Sequence, residues 1–222
     1  MKRKAIIVAG GTGTRMQASI PKQFLKIGNE VILMRSIRLF HTFDPEMEII
    51  ITLPQHEISR WNELCKEEGF PITHRIVAGG EQRFNSVKNA LQTITEDSLI
   101  AVHDGVRPLV SQDTIKKTFQ KAAETGNAIP VQSIHDSIRY ITEHQNKAID
   151  RDRYKLVQTP QVFASNILQS AYQQAYQPGF TDDASVIECT GITISTIEGN
   201  PENIKITTKK DLDIAEVLLS YL

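Results

Sequence analysis

Short runs of β-branched and aliphatic residues alternate along the chain with stretches of helical period. Ala5-Ile6-Ile7-Val8 opens the series, Ile49-Ile50-Ile51-Thr52-Leu53 precedes a helical pattern over about 55–67, and Leu99-Ile100-Ala101-Val102 precedes another over about 112–124. This alternation predicts parallel βαβ units, and with them an α/β fold whose Rossmann-like, mostly parallel sheet is flanked by helices. Ligands gather at the carboxyl ends of the strands in such sheets. The glycine-rich segment after Val8 and the segment His103-Asp104-Gly105-Val106-Arg107-Pro108 both fall there, so the two are expected to face each other. Between about 131 and 157 the alternation breaks. Ser137-Ile138-Arg139-Tyr140-Ile141 and Lys147-Ala148-Ile149-Asp150 are separated there by the polar turn 142–146, which predicts a protruding β-hairpin arm. A two-stranded ribbon is marginal alone, so the arm needs a surface to pack on, and a second copy of the chain is the simplest one. Towards the end, Thr208 and Asp211 have the spacing of a capping box, ahead of a helix whose Leu212, Ala215, Val217, Leu218 and Leu219 are expected to cover the sheet.

Composition narrows the function classes. With 222 residues, 40% hydrophobic and 23% charged, the chain can bury one substantial core, and 1–222 reads as a single domain without repeats or linkers. A net charge of −1 provides no global field towards nucleic acid or an anionic membrane, so neither is an expected partner. Any anionic ligand has to be held by locally placed cations. Cys65 and Cys189 are too few and too far apart for a disulfide framework or a structural zinc site. No apolar run is long enough for a signal peptide or a bilayer span, and a soluble cytoplasmic protein is expected.

Local cations do appear beside glycines. Ala9-Gly10-Gly11-Thr12-Gly13-Thr14-Arg15-Met16, followed by Pro21-Lys22-Gln23-Phe24, reads as a triphosphate cradle. Glycines let backbone N–H groups approach an anion, while Arg15 and Lys22 supply fixed positive charge. A dinucleotide fingerprint would need a third glycine where Met16 stands, and a P-loop would close on Lys-Ser or Lys-Thr where Arg15-Met16 stands. The plainer alternative is a tight strand-to-helix turn. A second glycine pair, Gly79-Gly80, precedes an amphipathic helix in which Ser86 could hydrogen-bond a base or merely pack, and Arg83 could touch phosphate or stand as a solvated charge. Asp104 and Arg107 are presented at one strand end, where the carboxylate suits Mg²⁺ and the pair equally suits a turn-shaping ion pair. No nucleophile motif accompanies His103, which therefore reads as a structural hydrogen-bonding residue. Taken singly, Arg151 reads as a solvated arm residue, Thr181 as a helix N-cap and Lys205 as a surface lysine.

In order along the chain, VAGGTGTRM, IPKQF, GGEQRFNSV, VHDGVRP, DRD before LVQTPQVF, TDDAS and ENIKITT resemble the signatures of the 2-C-methyl-D-erythritol 4-phosphate cytidylyltransferases, over essentially the whole length. The resemblance implies a nucleotidyltransferase that joins CTP to the polyol phosphate, with a divalent cation such as Mg²⁺, in non-mevalonate isoprenoid biosynthesis. It implies catalytic roles for Arg15 and Lys22, and nucleotide contacts from Ala9, Gly10, Gly11, Thr12, Gly13, Gly79, Gly80, Ser86 and Asp104, with Asp104 also at the metal. The polyol phosphate would meet Arg107, Ser137, Arg151, Thr159, Thr181 and Lys205, with Arg151 crossing from the partner of a homodimer built through the arm. Two departures stand out. Gly105-Val106 replaces a frequent Ala-Ala, and Gln132–Ser137 replaces a shorter segment with Asp-Thr, leaving Ser137 in the place of that threonine. Three alternatives share some of these features: a ribitol 5-phosphate cytidylyltransferase, a dinucleotide-dependent oxidoreductase and a non-catalytic nucleotide sensor.

Overall fold

A computed structural model describes residues 1–11 and 20–221. Its strands are β1 (Lys2–Val8), β2 (Lys26–Ile27), β3 (Glu30–Val31), β4 (Glu48–Leu53), β5 (Arg75–Ala78), β6 (Ser98–Asp104), β7 (Asn127–Ser133), β8 (Ile138–Ile141), β9 (Asn146–Ile149), β10 (Lys155–Val157), β11 (Gln161–Ala164) and β12 (Thr196–Glu198). The helices are α1 (Ile32–Phe43), α2 (Ile58–Glu67), α3 (Arg83–Leu91), α4 (Gln112–Thr125), α5 (Ser165–Ala171), α6 (Asp183–Glu188) and α7 (Lys209–Leu219). The central sheet has eight strands in the order β10-β7-β11-β6-β1-β4-β5, with β12 added beside β7. Parallel pairing of β6, β1, β4 and β5 forms one half, and the antiparallel β11 joins it to β7.

The apolar runs divide by the two-residue period of a strand. Ala5, Ile7, Ile49, Ile51, Leu99 and Ala101 face one layer with Ile37 and Phe40 of α1, Trp61 of α2 and Phe119 of α4. Ile6, Ile50, Ile100 and Val102 face the other, against Phe84 and Val87 of α3, Leu168 of α5 and Ile187 of α6. Continuous apolar strands are what a sheet covered on both faces requires. No described helix is long and apolar enough to cross a membrane.

Two expectations need correction. The inner ends of the segment expected as an arm belong to the main sheet, because Val131–Ser133 pair with Lys155–Val157 at its edge. Within that segment β8 and β9 form a separate hairpin, exposed along most of its length. The capping box at Thr208 and Asp211 is present, but α7 does not cover the main sheet. Ala215 is buried with Ile27, Ile32, Val106, Leu109 and Ile206, and Leu212, Leu218 and Leu219 pack against that smaller cluster while Val217 is exposed. A helix that follows the last strand at the sheet's rim meets the loops there instead of the sheet.

Beneath β4 and β5, Trp61 donates its indole N–H to His74 Nε2 at 2.9 Å, and His74 Nδ1 lies 2.8 Å from the Ile72 carbonyl. A carbonyl can only accept, so the ring is neutral with its proton on Nδ1. Burial lowers the His74 pKa from its ordinary 6.5, against an opposing pull from the Ile72 carbonyl. Since the folded value is the lower one, this contribution to stability is complete above pH 6.5 and is lost as the pH falls below it. In His74→Gln, urea midpoints are expected to depend less steeply on pH between about 6.5 and 5 than in the wild type. An unchanged slope would refute the assignment.

Candidate active site

The register brings three loops out of the sheet at one level. Val8 stands opposite Thr52 on one side and Asp104 on the other. The exits are then tied strand to strand, with Ala9 N–H donating to the Thr52 carbonyl, Gly79 N–H to Leu53 and Gly105 N–H to Val8. The expected meeting of the first glycine segment with the Asp104 loop follows from these bonds. It forms a cavity of about 360 Å³ lined by Ala9, Gly10, Gly11, Lys22, Gly80 and Ser86 with Arg83, Asp104 and Lys205. A second cavity of about 220 Å³ shares Arg83, Asp104 and Lys205 and adds Arg107, Thr159 and Thr181.

Glycine has a different reason in each wall. A Cβ on Gly79 would lie 2.9 Å from Ser86 Oγ, and one on Gly80 would lie 2.3 Å from Asn85 Cβ, so this turn packs too tightly on α3 for any side chain. Gly10 and Gly11 have room, with nearest atoms at 3.7 and 3.6 Å, and leave their backbone open to the cavity. Ser86 accepts the Gly80 N–H at 3.1 Å and donates to the Gln82 carbonyl at 3.2 Å, keeping one lone pair for a ligand. Gly105 is equally constrained. Its Cβ would meet Leu33 Cδ1 at 2.9 Å and Ala9 Cβ and Ile7 Cγ2 at 3.2 Å, so the space an alanine methyl would occupy is filled by Leu33 in this chain.

Asp104 is the electrostatic centre. Its Oδ2 lies 3.1 Å from Lys205 Nζ and 3.2 Å from Arg107 Nε, and its Oδ1 lies 3.4 Å from Arg83 Nε. Burial alone would raise its pKa, but Arg83, Lys205 and Arg107 together hold it well below the usual carboxylate range. Of the two readings of the Asp104–Arg107 pair, the ion pair is present.

His103 is structural, as its context suggested. It is fully buried, and burial pushes its pKa down to about 4. Nε2 faces the Arg107 carbonyl at 3.1 Å and so carries the proton, which leaves Nδ1 to accept from the Thr159 hydroxyl at 3.0 Å. Thr159 Oγ1 in turn accepts the Asp104 N–H at 3.1 Å. The Thr159 proton is thus committed to His103, and the hydroxyl offers the second cavity a lone pair.

Thr181 lines that cavity but does not cap α6. Asp182 does, accepting from Ser185 N–H in a capping box, because its carboxylate also receives Gln161 Nε2 at 2.7 Å from β11. Ser137 and Arg151 are exposed and line neither cavity, with the Arg151 guanidinium donating to the His135 carbonyl. Thr12, Gly13 and Arg15 lie outside the described residues. Arg83 is partly exposed but paired with Asp104 and with the buried Asp183, and the sequence reading missed Asp183 together with Tyr172, whose hydroxyl backs it. The second aspartate of TDDAS was visible, but nothing in the string said which acid turns inward.

The model of the 2-C-methyl-D-erythritol 4-phosphate cytidylyltransferase family, IspD, matches residues 4–221. The chain belongs to this family. A family member from Bacteroides fragilis named as that cytidylyltransferase is 49% identical over 99% of this chain and 100% of its own. The solved IspD of Francisella tularensis is 31% identical, with a TM-score of 0.78 over 98% of this chain and 99% of that one. The bifunctional IspDF of Campylobacter jejuni is 28% identical with a TM-score of 0.81, and here the match covers 96% of this chain but 54% of that longer chain.

Proposed function

We propose that the chain is the cytidylyltransferase that converts CTP and 2-C-methyl-D-erythritol 4-phosphate to 4-diphosphocytidyl-2-C-methyl-D-erythritol and pyrophosphate, in non-mevalonate isoprenoid biosynthesis in the cytoplasm. The observation that carries this reading is the shared wall of Arg83, Asp104 and Lys205 between a glycine-lined cavity and a second one bearing Arg107, Thr159 and Thr181. Two anionic substrates can meet there. CTP takes the first cavity, with cytosine against Gly79, Gly80 and Ser86 and the triphosphate along Ala9–Gly13 beside Arg15 and Lys22. The polyol phosphate takes the second, its phosphate on Arg107 and Lys205 and its hydroxyls on Thr159 and Thr181.

A phosphate monoester carries roughly −1.5 to −2 charges near neutral pH, so repulsion from the triphosphate is the main obstacle. An acceptor phosphate oxygen attacks the α-phosphorus in line, the O–P bond forms as the α–β bridge breaks, and pyrophosphate leaves with the electron pair. No protein nucleophile is required, and positioning plus cations facing the developing charge supply the catalysis. Among the described residues no three His, Cys, Asp or Glu side chains converge on a metal position. Asp104, one carboxylate among three cations, would be the protein group that holds a Mg²⁺ brought in by the triphosphate. When bound there, the ion would neutralise phosphate charge.

In this reading Ser137 and Arg151 reach a site across a homodimer built through the arm, where Tyr140 and Ile141 of the hairpin and Tyr154, Leu156 and Val157 at the adjoining sheet edge stand exposed. If so, Lys22→Ala and Arg151→Ala chains, each inactive alone, are expected to regain part of the activity when refolded together, because mixed dimers contain one intact site. No recovery in verified mixed dimers would assign Arg151 to the site of its own subunit and overturn the contribution across the dimer. The function itself is tested by pyrophosphate release from CTP and Mg²⁺ with methylerythritol phosphate and ribitol 5-phosphate in parallel. Release with the first acceptor alone is expected, whereas release with ribitol phosphate alone would overturn the assignment of the acceptor.

A further inference from the structure

Arg83 differs from the other two cations on Asp104 in what holds its far end. Its Nη2 donates to Asp183 Oδ2 at 2.6 Å, and Asp183 is fully buried. The other oxygen of Asp183 accepts the Tyr172 hydroxyl at 2.6 Å. Tyr172 is itself buried and stacks on Phe84, the neighbour of Arg83 in α3, with ring centroids 4.7 Å apart. The contacts therefore close a loop that starts and ends on the first turn of α3. Lys205, by contrast, has a side chain 42% exposed, and Arg107 divides its guanidinium between Asp104 and the Asn203 carbonyl at 2.8 Å.

An incoming phosphate competes with Asp104 for every one of these cations. Lys205 can leave with little loss, whereas Arg83 cannot move without stranding a carboxylate that has no access to water, and an unpaired buried charge is among the costliest arrangements in a protein. We propose that Asp183, backed by Tyr172, is a positioning residue that pins the Arg83 guanidinium, so that Arg83 keeps hold of Asp104 while Lys205 and Arg107 turn to the substrate phosphates. This inference rests on the cytidylyltransferase reading above. It explains why the wall shared by the two cavities contains an arginine with a second, buried carboxylate behind it.

Steady-state kinetics on the full chain test it, with thermal unfolding followed in parallel, for Asp183→Asn, Tyr172→Phe, Arg83→Lys and the double variant Asp183→Asn/Arg83→Lys. Residues that orient a ligand group from behind typically contribute 10–100-fold, so kcat is expected to fall by about that factor in Asp183→Asn and in Arg83→Lys. The KM for CTP should stay within a few-fold, and Tyr172→Phe should show a smaller loss. The double variant should be no slower than the slower single one, since both substitutions break the same chain of contacts. Wild-type kcat in folded Asp183→Asn, multiplying losses in the double variant, or a lowered unfolding midpoint with unchanged kcat would each overturn the role. Should Asp183→Asn not fold, Tyr172→Phe decides, because it removes a single hydroxyl and a wild-type kcat there overturns the proposal. Turnover by the wild type together with unaffected variants refutes the positioning role alone. A wild type that releases no pyrophosphate with either acceptor refutes the functional reading and this one with it.

Discussion

Lys22→Ala is expected to lower kcat by about 10²–10³-fold while changing the affinity for CTP far less, the pattern of an interaction realised mainly in the transition state. Lys22 is only 8% exposed, at the start of the short turn Lys22–Phe24. Gln23 Nε2 donates to the Ala9 carbonyl at 2.9 Å and ties that turn to the end of β1. The lysine's Cε comes within 3.6 Å of where a Gly11 side chain would begin, and both residues line the first cavity. A cation already positioned in the cavity wall costs little reorganisation as negative charge builds on the phosphoryl oxygens. Steady-state rates combined with a direct CTP titration separate the two effects. A variant that loses affinity but keeps kcat would make Lys22 a binding residue only.

The sheet was legible because its strands are continuous apolar runs. Their carboxyl ends were legible because glycines and Asp104 follow directly, so the meeting of the two loops could be expected before any pairing was known. What could not be read was the ownership of charges. Arg83 looks like any helix-surface arginine in the sequence, and only the fold brings α6 and α5 close enough for Asp183 and Tyr172, 100 and 89 residues further on, to enclose it. Thr181 read as the N-cap of α6, but in the fold Asp182 takes that place, with Gln161 of β11 donating to its carboxylate. Val217 shares the apolar period of α7, yet it faces outward because the surface beneath the helix is a small cluster around Ile206 instead of a sheet. Gly105 appeared as a departure from the family's alanine, and its reason lies 72 residues earlier in Leu33. Long-range choices of partner, more than local propensity, set the limit.

Asp104→Asn is expected to reduce both turnover and stability, and to change anion binding in the opposite direction. The carboxylate's side chain is only 9% exposed and faces three cations. Removing one member of a buried ion pair costs about 3–5 kcal/mol. Here the loss should be smaller, about 2 kcal/mol, because Arg83 keeps Asp183, Arg107 keeps the Asn203 carbonyl and Lys205 can turn to water. Urea unfolding of the two proteins measures this difference. Turnover should fall by about 10²-fold or more if Asp104 has the nucleotide and metal role proposed for it, since the group would no longer carry charge. The same change leaves Arg83, Arg107 and Lys205 without their shared counter-anion. Inorganic pyrophosphate, titrated without metal, should therefore bind the variant more tightly than the wild type even as catalysis fails. Weaker pyrophosphate binding would mean that Asp104 holds these cations in place for the anion instead of competing with it, and wild-type turnover would remove Asp104 from the chemistry.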